Sequence, residues 1–434
     1  MNILIVAHHF PPENAMASLR PYSWAKYWSA LGHDVCVVTT QKESFDDPQT
    51  LLLHRDDFQT IEIPYLPKKK DNGQSETDKL KAPTSQPTDN WVMQNIKLRS
   101  RRAREFLGLG ALLSIRSLWI MPAVKKISEL HREKPFDFMV STYGPPASHI
   151  VASIVKRNFD DLHWVADYRD LWNDDNLETR RWPFSAIEKR IEDVSVSRAN
   201  LLSTVSEPLC EILRARLNKP VICVENGFDV SDLSARQDDF FPEDGKVRLV
   251  YTGKVHSGKR DPSPLLAAIQ SLLEVGYVTA ENLEVLFYSN DPGNLPELIH
   301  QFSVDSIVKL PGFVDRNTSL SIQCSADALI FLDWSDPSID GILTGKIFEY
   351  MYAGRPILGI GSDETRSAGR LIHASGTGFC LGTSSDKIAQ LIFTLVQGES
   401  LTYEPQSSVL NEFTRKGLSG KMLHNIQMHL SMSH

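Results

Sequence analysis

The sequence contains little cysteine. Its 434 residues include only five, and no two of them form a Cys-x-x-Cys pair. Scattered thiols in odd number are typical of a reducing compartment and predict neither a disulfide framework nor a zinc site. The five are Cys36, Cys210, Cys223, Cys324 and Cys380.

Long hydrophobic runs are also missing. No segment reaches the roughly 18 consecutive apolar residues of a membrane-spanning helix. The first residues have neither the basic region nor the apolar core of a signal peptide, because residues 2–7 already read as a strand. We therefore expect a cytoplasmic protein.

The chain has no excess of basic residues. It carries 46 Lys and Arg against 54 Asp and Glu, a net charge of -8. This balance argues against general nucleic-acid binding. The length is sufficient for two or three domains, each with its own core.

Several cofactor motifs are absent. The first strand–helix loop, residues 8–16, has no Gly-x-Gly-x-x-Gly, which argues against a nicotinamide or flavin dinucleotide. The glycine-containing loop at residues 253–260 lacks the Gly-Lys-Ser/Thr order of a Walker A loop. There is no Asp-x-Asp metal motif. We expect no bound cofactor and no metal ion, with lysines supplying positive charge instead.

The first forty residues predict the opening of a doubly wound parallel sheet. Residues 2–7 form an unbroken apolar run, a helix is predicted over Ala17–Leu31, and Asp34–Thr40 reads as the next strand. This is one β-α-β unit. The loop at residues 8–16 lies at the carboxyl end of the first strand, where such sheets bind ligands.

A second sheet of the same kind is predicted to begin at residues 246–252. The loop that follows, residues 253–260, contains three cations and two glycines, with Lys254 and Lys259 among them. At the first strand–helix junction of a sheet, this composition indicates a diphosphate clamp.

A further phosphate signal lies after the predicted strand at residues 328–332. A short helix begins at Thr344 or Gly345, and helix N-termini bind phosphate groups. Lys346 in its first turn has the wrong sign for the helix dipole, so an anion is expected beside it. Glu349 follows about one turn later and can accept hydrogen bonds from the hydroxyls of a sugar.

Charged residues also end a strand of the first sheet. The strand at residues 162–166 runs into Asp167, Arg169 and Asp170. Charges at such a position are costly unless they are paired or used. Two interpretations stay open, namely a functional role at the ligand-binding edge of the sheet or a structural Asp–Arg pair that fixes a loop.

These stretches together resemble the GT-B glycosyltransferases, specifically glycosyltransferase family 4 and its subfamily that builds surface polysaccharides and amino-sugar glycans. The loop with Lys254 and Lys259 resembles the family's Arg-x4-Lys pattern, with a lysine in place of the arginine. Glu349 matches the second glutamate of the Glu-x7-Glu motif. The first glutamate is absent, since Gly341 stands there and Asp340 lies one residue early.

The resemblance implies roles for residues in both halves. The backbone amides of Thr344 and Gly345 would face the diphosphate of the donor, Glu349 would hold its ribose, and residues 313–314 would contact its base. The full set of donor-binding residues is Lys254, Lys259, Phe313, Val314, Thr344, Gly345, Lys346 and Glu349. The catalytic set is Asp167, Arg169 and Asp170, and the acceptor side comprises Pro12, Glu13, Asn14 and Tyr143.

The predicted architecture is α/β, with two doubly wound Rossmann-like domains that face each other across a cleft. We expect an acceptor-binding domain at residues 1–230, a linker at 231–245 and a nucleotide-sugar-binding domain at 246–408. A C-terminal helix at residues 409–434 is expected to pack back on the first domain. For His8 and His9 in the first loop, ordinary hydrogen bonds at a strand end are favoured over catalysis.

The resemblance implies transfer of a sugar from a nucleotide-sugar, with a UDP-sugar as co-substrate, to a glycan or polyprenyl-linked acceptor. The transfer would retain anomeric configuration and need no metal. A nucleotide-sugar 2-epimerase of the same fold, or a non-catalytic GT-B scaffold in a glycan-assembly complex, are the alternatives. The scaffold is motivated by the missing glutamate at Gly341.

One segment has the composition of a membrane-surface contact. Residues 97–104 contain five cations and precede an apolar stretch that ends at residue 121. Such a segment can lie on an anionic bilayer, each nearby cation adding on the order of 1 kcal/mol. The alternative, a basic solvated turn before a helix that packs on the sheet, is slightly favoured.

Overall fold

The computed structural model describes residues 1–43, 49–51, 53–65, 115–172, 182–233, 239–336 and 339–432. The chain divides into two compact units. The first unit comprises Met1–Val224 together with the chain from Ser419 onward, and the second comprises Glu225–Leu418. The change of unit at Glu225 precedes the predicted linker at residues 231–245, part of which forms a 3-10 helix over Val230–Leu233.

The first unit is built on a seven-stranded parallel sheet of order β3-β2-β1-β4-β5-β6-β7. Its interior strand β1 is fully buried at Ile3, Leu4 and Ile5, as its unbroken apolar run predicts. The strands are β1 (Asn2–Val6), β2 (Asp34–Thr40), β3 (Gln59–Ile63), β4 (Phe138–Thr142), β5 (His163–Tyr168), β6 (Leu201–Thr204) and β7 (Val221–Cys223).

Helices connect most of these strands, as is usual in a parallel sheet, and no helix is found between β2 and β3 among the described residues. The first spans Met16–Ala30, one residue earlier at each end than predicted. A 3-10 helix over Ile115–Trp119 leads into the second. The helices are α1 (Met16–Ala30), α2 (Ile120–Glu133), α3 (Ala147–Asn158), α4 (Phe184–Val196) and α5 (Glu207–Leu217).

The second unit contains a six-stranded parallel sheet of order β10-β9-β8-β11-β12-β13. Its strands are β8 (Val247–Thr252), β9 (Leu283–Tyr288), β10 (Val308–Lys309), β11 (Ala328–Leu332), β12 (Ile357–Ile360) and β13 (Gly378–Gly382). Its helices are α6 (Ser263–Glu274), α7 (Leu295–Gln301), α8 (Arg316–Ser325), α9 (Gly345–Ala353), α10 (Ser367–Ser375), α11 (Ser385–Val396) and α12 (Ser407–Glu412).

The C-terminal helix differs from the prediction of one helix from residue 409. The chain forms α12 and then α13 (Arg415–Met432), with an interruption at Thr414. The interruption arises because this part of the backbone pairs with Phe228 instead of continuing the helix. Phe228 N donates to Phe413 O at 3.2 Å, and Arg415 N donates to Phe228 O at 2.8 Å.

Part of α13 belongs to the first unit. Trp28 Nε1 in α1 donates to Ser419 O at 2.8 Å, and the rings of His163 and His429 lie 5.2 Å apart. Of the proposed membrane segment, residues 97–114 lie outside the described residues. Across the described ranges, no helix combines the length and the apolar character needed to cross a bilayer.

Candidate functional site

The candidate site lies at the carboxyl edge of the second sheet. Strands β8 and β11 are neighbours and run parallel, so the loops that leave them emerge side by side. The loop after β8 begins with Gly253, whose φ of +113° is one that L side chains rarely adopt. The loop after β11 begins with Asp333 and Trp334. Helix α9 then starts at Gly345, with Thr344 as its N-cap residue.

The side chain of Lys346 lies on an aromatic ring at this edge. Its Nζ is 3.6 Å from the centroid of the Tyr251 ring, a cation–π contact. The Tyr251 hydroxyl donates to Lys254 O at 2.7 Å, which fixes the ring beneath the ammonium. A Cβ on Gly253 would meet Lys346 Nζ at 3.1 Å. The glycine therefore provides the space that the ammonium occupies.

Three more cations surround this point. Lys254 is exposed, Lys259 is partly buried and Arg260 is buried. Lys259 Nζ and Arg260 Cζ lie 6.0 Å and 5.9 Å from the centroid of the Trp334 ring. The backbone joins the two loops as well, because Ser335 N donates to Lys259 O at 2.8 Å.

Three atoms at this edge that can donate a hydrogen bond are buried without a partner among the described residues. They are Arg260 Nε, Trp334 Nε1 and Thr344 Oγ1. Leaving a buried polar group unpaired costs about 1–3 kcal/mol, so proteins avoid it unless a ligand or water completes the bond. Two of the three atoms can only donate, and the third can donate. Their preferred ligand is an acceptor of hydrogen bonds.

Electrostatics point to an anion. Burial lowers the pKa of His256, and the charges of Arg260, Lys254, Lys259 and Lys346 lower it further. Burial, with a contribution from Arg260, also holds the pKa of Lys346 well below its ordinary value, and Glu349 opposes this only in part. A site that repels its own protons binds a negative group favourably.

Glu349 is engaged by an arginine that the sequence did not single out. Arg316 Nη1 lies 2.6 Å from Glu349 Oε1, and the two side chains are 16% and 12% exposed. Arg316 is the first residue of α8. In the loop before α8, Phe313 is exposed and Val314 is partly buried.

At Gly341, where the first glutamate of the motif is missing, the neighbouring Asp340 does not take its place. Asp340 Oδ1 accepts from Ser367 N and Asp340 Oδ2 from Ser367 Oγ, both at 2.8 Å. Its carboxylate thus serves the start of α10. Gly341 has a φ of 84°, in the left-handed region. Asp340 therefore does not replace the missing glutamate at Gly341, because its carboxylate is bonded to Ser367.

A buried hydrogen-bond network holds the parts of this edge together. Thr252 N, at the end of β8, donates to the Tyr350 hydroxyl of α9 at 2.9 Å. Gln323 Nε2 of α8 donates to Thr252 Oγ1 at 3.0 Å. One threonine thereby fixes β8, α8 and α9 relative to one another.

In the first unit, Asp167 is fully buried at the carboxyl end of β5. Arg20 Nη2 donates to Asp167 Oδ1 at 2.8 Å and Arg20 Nε to Asp167 Oδ2 at 3.1 Å. Thr142 Oγ1 and Ser203 Oγ donate to its oxygens at 2.9 Å and 2.8 Å. This geometry favours the structural interpretation for Asp167, although its partner is Arg20 and not Arg169.

Arg169 and Asp170 pair with each other instead. Their side chains are 21% and 44% exposed, so they are more accessible than Asp167. Arg169 also passes over the turn before α3, where a Cβ on Gly144 would meet Arg169 Nη2 at 3.3 Å. The sequence therefore grouped three residues that the structure separates into a buried carboxylate and an accessible ion pair.

The residues assigned to the acceptor side differ in accessibility. Glu13 is fully buried and lies 3.0 Å from His9 Nδ1 and 3.6 Å from Lys42 Nζ. Tyr143 is 7% exposed and stacks on Trp172, with ring centroids 5.7 Å apart.

Pro12 and Asn14 are partly buried. Asn14 Nδ2 donates to Thr50 Oγ1 at 2.9 Å, and Pro12 O accepts from Leu51 N at 3.0 Å. These contacts join the first loop to residues 50–51. Glu13 and Tyr143 support the same edge of the sheet from within.

Comparison with known proteins identifies the fold. No protein-family model and no curated protein matches the sequence. Over its full length the chain is similar to sucrose-phosphate synthase from Thermosynechococcus elongatus, with a TM-score of 0.62, 14% identity and 100% of both chains covered. The fold is that of GT-B glycosyltransferases.

Two further solved structures share this GT-B fold. One is the lipopolysaccharide outer core galactosyltransferase WaaB, with a TM-score of 0.54 and 11% identity over 99% of both chains. The other is the UDP-GlcNAc 2-epimerase from Methanocaldococcus jannaschii, with a TM-score of 0.53 and 10% identity over 99% of this chain and 100% of that one. At these identities the likeness concerns the fold alone.

Proposed function

We propose that this protein is a glycosyltransferase that moves a sugar from a nucleotide-sugar donor to a glycan or polyprenyl-linked acceptor. The main support is a set of buried donor atoms on Arg260, Trp334 and Thr344 that have no partner among the described residues. They lie at the same sheet edge as the ammonium of Lys346. Such a set suits the oxygens of a diphosphate better than a neutral ligand.

The donor's diphosphate binds at the start of α9. The backbone amides of Thr344 and Gly345 face it, and Lys259, Arg260 and Lys346 supply positive charge. During transfer the bond between the sugar and the diphosphate breaks, and negative charge grows on the leaving phosphate. Fixed cations stabilise that charge most where water is excluded. In this proposal they take the place of a divalent metal ion. Retention of anomeric configuration follows from the resemblance to family 4.

The acceptor binds the first unit, at the carboxyl edge of its sheet. Asp170 and Arg169 are the accessible charged residues there. Asp167, held by Arg20, supports the strand end from which they project. A lipid-linked acceptor would bring the protein to the cytoplasmic face of a membrane, with contact through residues 97–121.

Calorimetric titration with UDP, GDP, CDP and ADP tests donor binding, followed by transfer assays with the matching nucleotide-sugars. Lys259→Ala and Glu349→Ala should abolish transfer while circular dichroism stays unchanged. Lys387→Ala, an exposed lysine of the same unit, is the matched control and should keep full activity. Full activity in both site variants would refute the assignment.

A 2-epimerase acting on a UDP-sugar is the second candidate, because UDP-GlcNAc 2-epimerases share the fold over the whole chain. Incubation with the nucleotide-sugar alone separates the two. An epimerase yields an isomeric nucleotide-sugar without any acceptor, whereas a transferase yields free nucleoside diphosphate only when an acceptor is present. Nucleotide binding without turnover over a broad panel of sugars would instead favour a non-catalytic scaffold, the reading that Gly341 motivates.

A further inference from the structure

The ion pair between Arg316 and Glu349 is not part of the phosphate site itself. The 2.6 Å contact joins α8 to the middle of α9, one turn after Lys346. Both side chains are mostly buried, so the pair is not a solvated surface contact. Charge-assisted hydrogen bonds of this kind fix geometry as well as charge.

The position of Arg316 is determined by the start of α8. Asp315 is the N-cap residue, and its Oδ1 accepts from Asn317 N at 2.9 Å and from Thr318 N at 3.1 Å. Its Oδ2 accepts from Thr318 Oγ1 at 2.6 Å. The first residue of the helix is thereby fixed, and that residue is Arg316.

An arginine is unfavourable at this place by itself. The helix dipole puts partial positive charge at an N-terminus, where a cation is destabilising. The Asp315 carboxylate offsets part of this cost at the N-cap, and Glu349 pairs directly with the Arg316 guanidinium. Glu349 also interacts with the charge of Lys346. Arg316 is therefore not needed merely to balance the charge of this carboxylate.

The network at Thr252 makes the pair rigid. Gln323 of α8 and Tyr350 of α9 both bond to Thr252, so the two helices that carry Arg316 and Glu349 cannot move apart freely. A carboxylate has about four acceptor positions. A hydrogen bond from one guanidinium nitrogen leaves capacity for hydroxyl donors of a ligand.

We propose that Arg316 is a positioning residue that holds the Glu349 carboxylate in the orientation that receives the ribose hydroxyls of the donor. The consequence is selection of ribonucleotides over 2′-deoxyribonucleotides. This inference rests on the proposed function and on the ribose contact that the resemblance to family 4 implies for Glu349. Arg316 acts on the donor through Glu349 and not by direct contact.

The test compares a nucleoside diphosphate with its 2′-deoxy form by calorimetry. The best binder among UDP, GDP, CDP and ADP is used. A carboxylate that accepts from the 2′-hydroxyl should favour the ribo form by about tenfold or more in the wild type. Arg316→Met should reduce this ratio to about threefold or less. Arg316→Lys, which keeps the charge, should restore most of it.

Glu349→Gln should lower the ratio as Arg316→Met does, and the double variant should lower it no further. Circular dichroism and thermal melts of every variant establish that the second unit is folded. Arg370→Met, which removes an exposed arginine that pairs with Asp340, is the control and should leave the ratio unchanged.

The outcomes separate this inference from the proposed function. Tight binding of both forms by Arg316→Met with the wild-type ratio intact would overturn the positioning role alone. An equal loss of affinity of Arg316→Met for the ribo and 2′-deoxy forms would also overturn it. That result would mean that Arg316 attracts the diphosphate by its charge and does not orient Glu349. Failure of the folded wild type to bind any of the four diphosphates would overturn both proposals.

Discussion

The ammonium of Lys346 lies 3.6 Å from the centre of the Tyr251 ring, in the space that a Cβ on Gly253 would crowd. A lysine in the first turn of a helix is unfavourable for the dipole, and here the face of an aromatic ring stabilises it. The arrangement joins the end of β8 to the start of α9 through an aromatic ring. Burial holds the pKa of Lys346 well below its ordinary value, so an anionic ligand would stabilise the charged form of this side chain.

Gly253→Ala tests whether this placement matters for binding. A Cβ would lie 3.1 Å from Lys346 Nζ and would force a residue with a side chain to adopt a φ of +113°. We expect the ammonium to move off the ring, and the affinity for UDP in calorimetry to fall by about fivefold or more, given about 1–3 kcal/mol of strain and lost contact.

The control for this variant lies in the same loop. Gly258 also has a positive φ, of +69°, but a Cβ there would meet nothing within 4 Å. Gly258→Ala should lower the thermal stability modestly and leave the affinity for UDP unchanged. Equal losses of affinity in the two variants would show that loop strain, and not the position of Lys346, is responsible.

Anion binding at this site should depend on pH. Burial and four neighbouring cations lower the pKa of His256 below 6.5, and a bound diphosphate would raise it again. Because the ligand favours the protonated imidazole, affinity should increase as pH falls through the neutral range and decrease as pH rises.

The measurement is the affinity for UDP between about pH 8 and about pH 6, at constant ionic strength. UDP itself begins to take up a proton near the lower limit, so wild type and variant must be compared over the same range. His256→Asn should give a flatter dependence than the wild type. Identical slopes would exclude proton uptake at His256.

Much of this edge was predictable from local sequence. The sequence places Lys254 and Lys259 directly after a strand and Lys346 at the start of a helix. In a parallel sheet, the carboxyl ends of the strands lie at one edge, and ligands bind there. Arg316 and Trp334 were missed because their importance depends on contacts far along the chain. The Arg316–Glu349 contact joins residues 33 positions apart, and no periodicity encodes it.

The first unit shows a different limit of local sequence. The charges at residues 167–170 form one cluster in the sequence, where two interpretations stay open. Burial separates them. Asp167 turns inward to Arg20 on α1, 147 positions away, while Arg169 and Asp170 pair at the surface. The end of β5 at Tyr168 accounts for this division, because Asp167 is still within the buried strand whereas Arg169 and Asp170 lie in the loop that follows it.

Replacement of Arg20 should show the structural role of Asp167. Arg20→Met leaves a fully buried carboxylate with only hydroxyl donors, and removal of one partner of a buried ion pair costs about 3–5 kcal/mol. Urea titration followed by tryptophan fluorescence measures the loss. Arg198→Met removes an exposed pair with Asp160, at 3.5 Å, and should cost less than about 1 kcal/mol. Similar costs for the two would contradict the buried-pair assignment.

His149 should make the first unit sensitive to acid. Burial lowers the pKa of this histidine from 6.5 to about 3, and its Nδ1 lies 2.8 Å from Ser141 Oγ. The unfolded chain takes up the proton below pH 6.5 and the folded chain does not, so stability is full above 6.5 and falls as pH decreases. At pH 5 the loss is about 2 kcal/mol.

Urea titrations at several pH values between 7 and 5 measure this slope. His149→Gln should flatten it, because the uncharged amide does not titrate. His54→Gln is the control, since the His54 side chain is 62% exposed and its removal should leave the slope as in the wild type. An unchanged slope in His149→Gln would mean that other groups cause the acid sensitivity.

Tyr350 should contribute more to the second unit than its ring alone explains. Its hydroxyl is the acceptor for Thr252 N, a buried backbone donor at the end of β8, and lies 3.3 Å from Thr252 Oγ1. Tyr350→Phe leaves that N–H without its acceptor while the ring still fills its space. The expected loss is about 1–3 kcal/mol in the free energy of unfolding, measured by urea titration.

Tyr403 provides the matched control. Its hydroxyl is buried with no partner among the described residues, so Tyr403→Phe removes an unsatisfied group and should be neutral or slightly stabilising. The same chemical change thus has opposite expected signs at two positions of one unit. Because Thr252 also bonds to Gln323, Tyr350→Phe should weaken nucleotide binding too, whereas Tyr403→Phe should not. Equal stability changes in the two variants would show that the Thr252 network does not hold β8, α8 and α9 together.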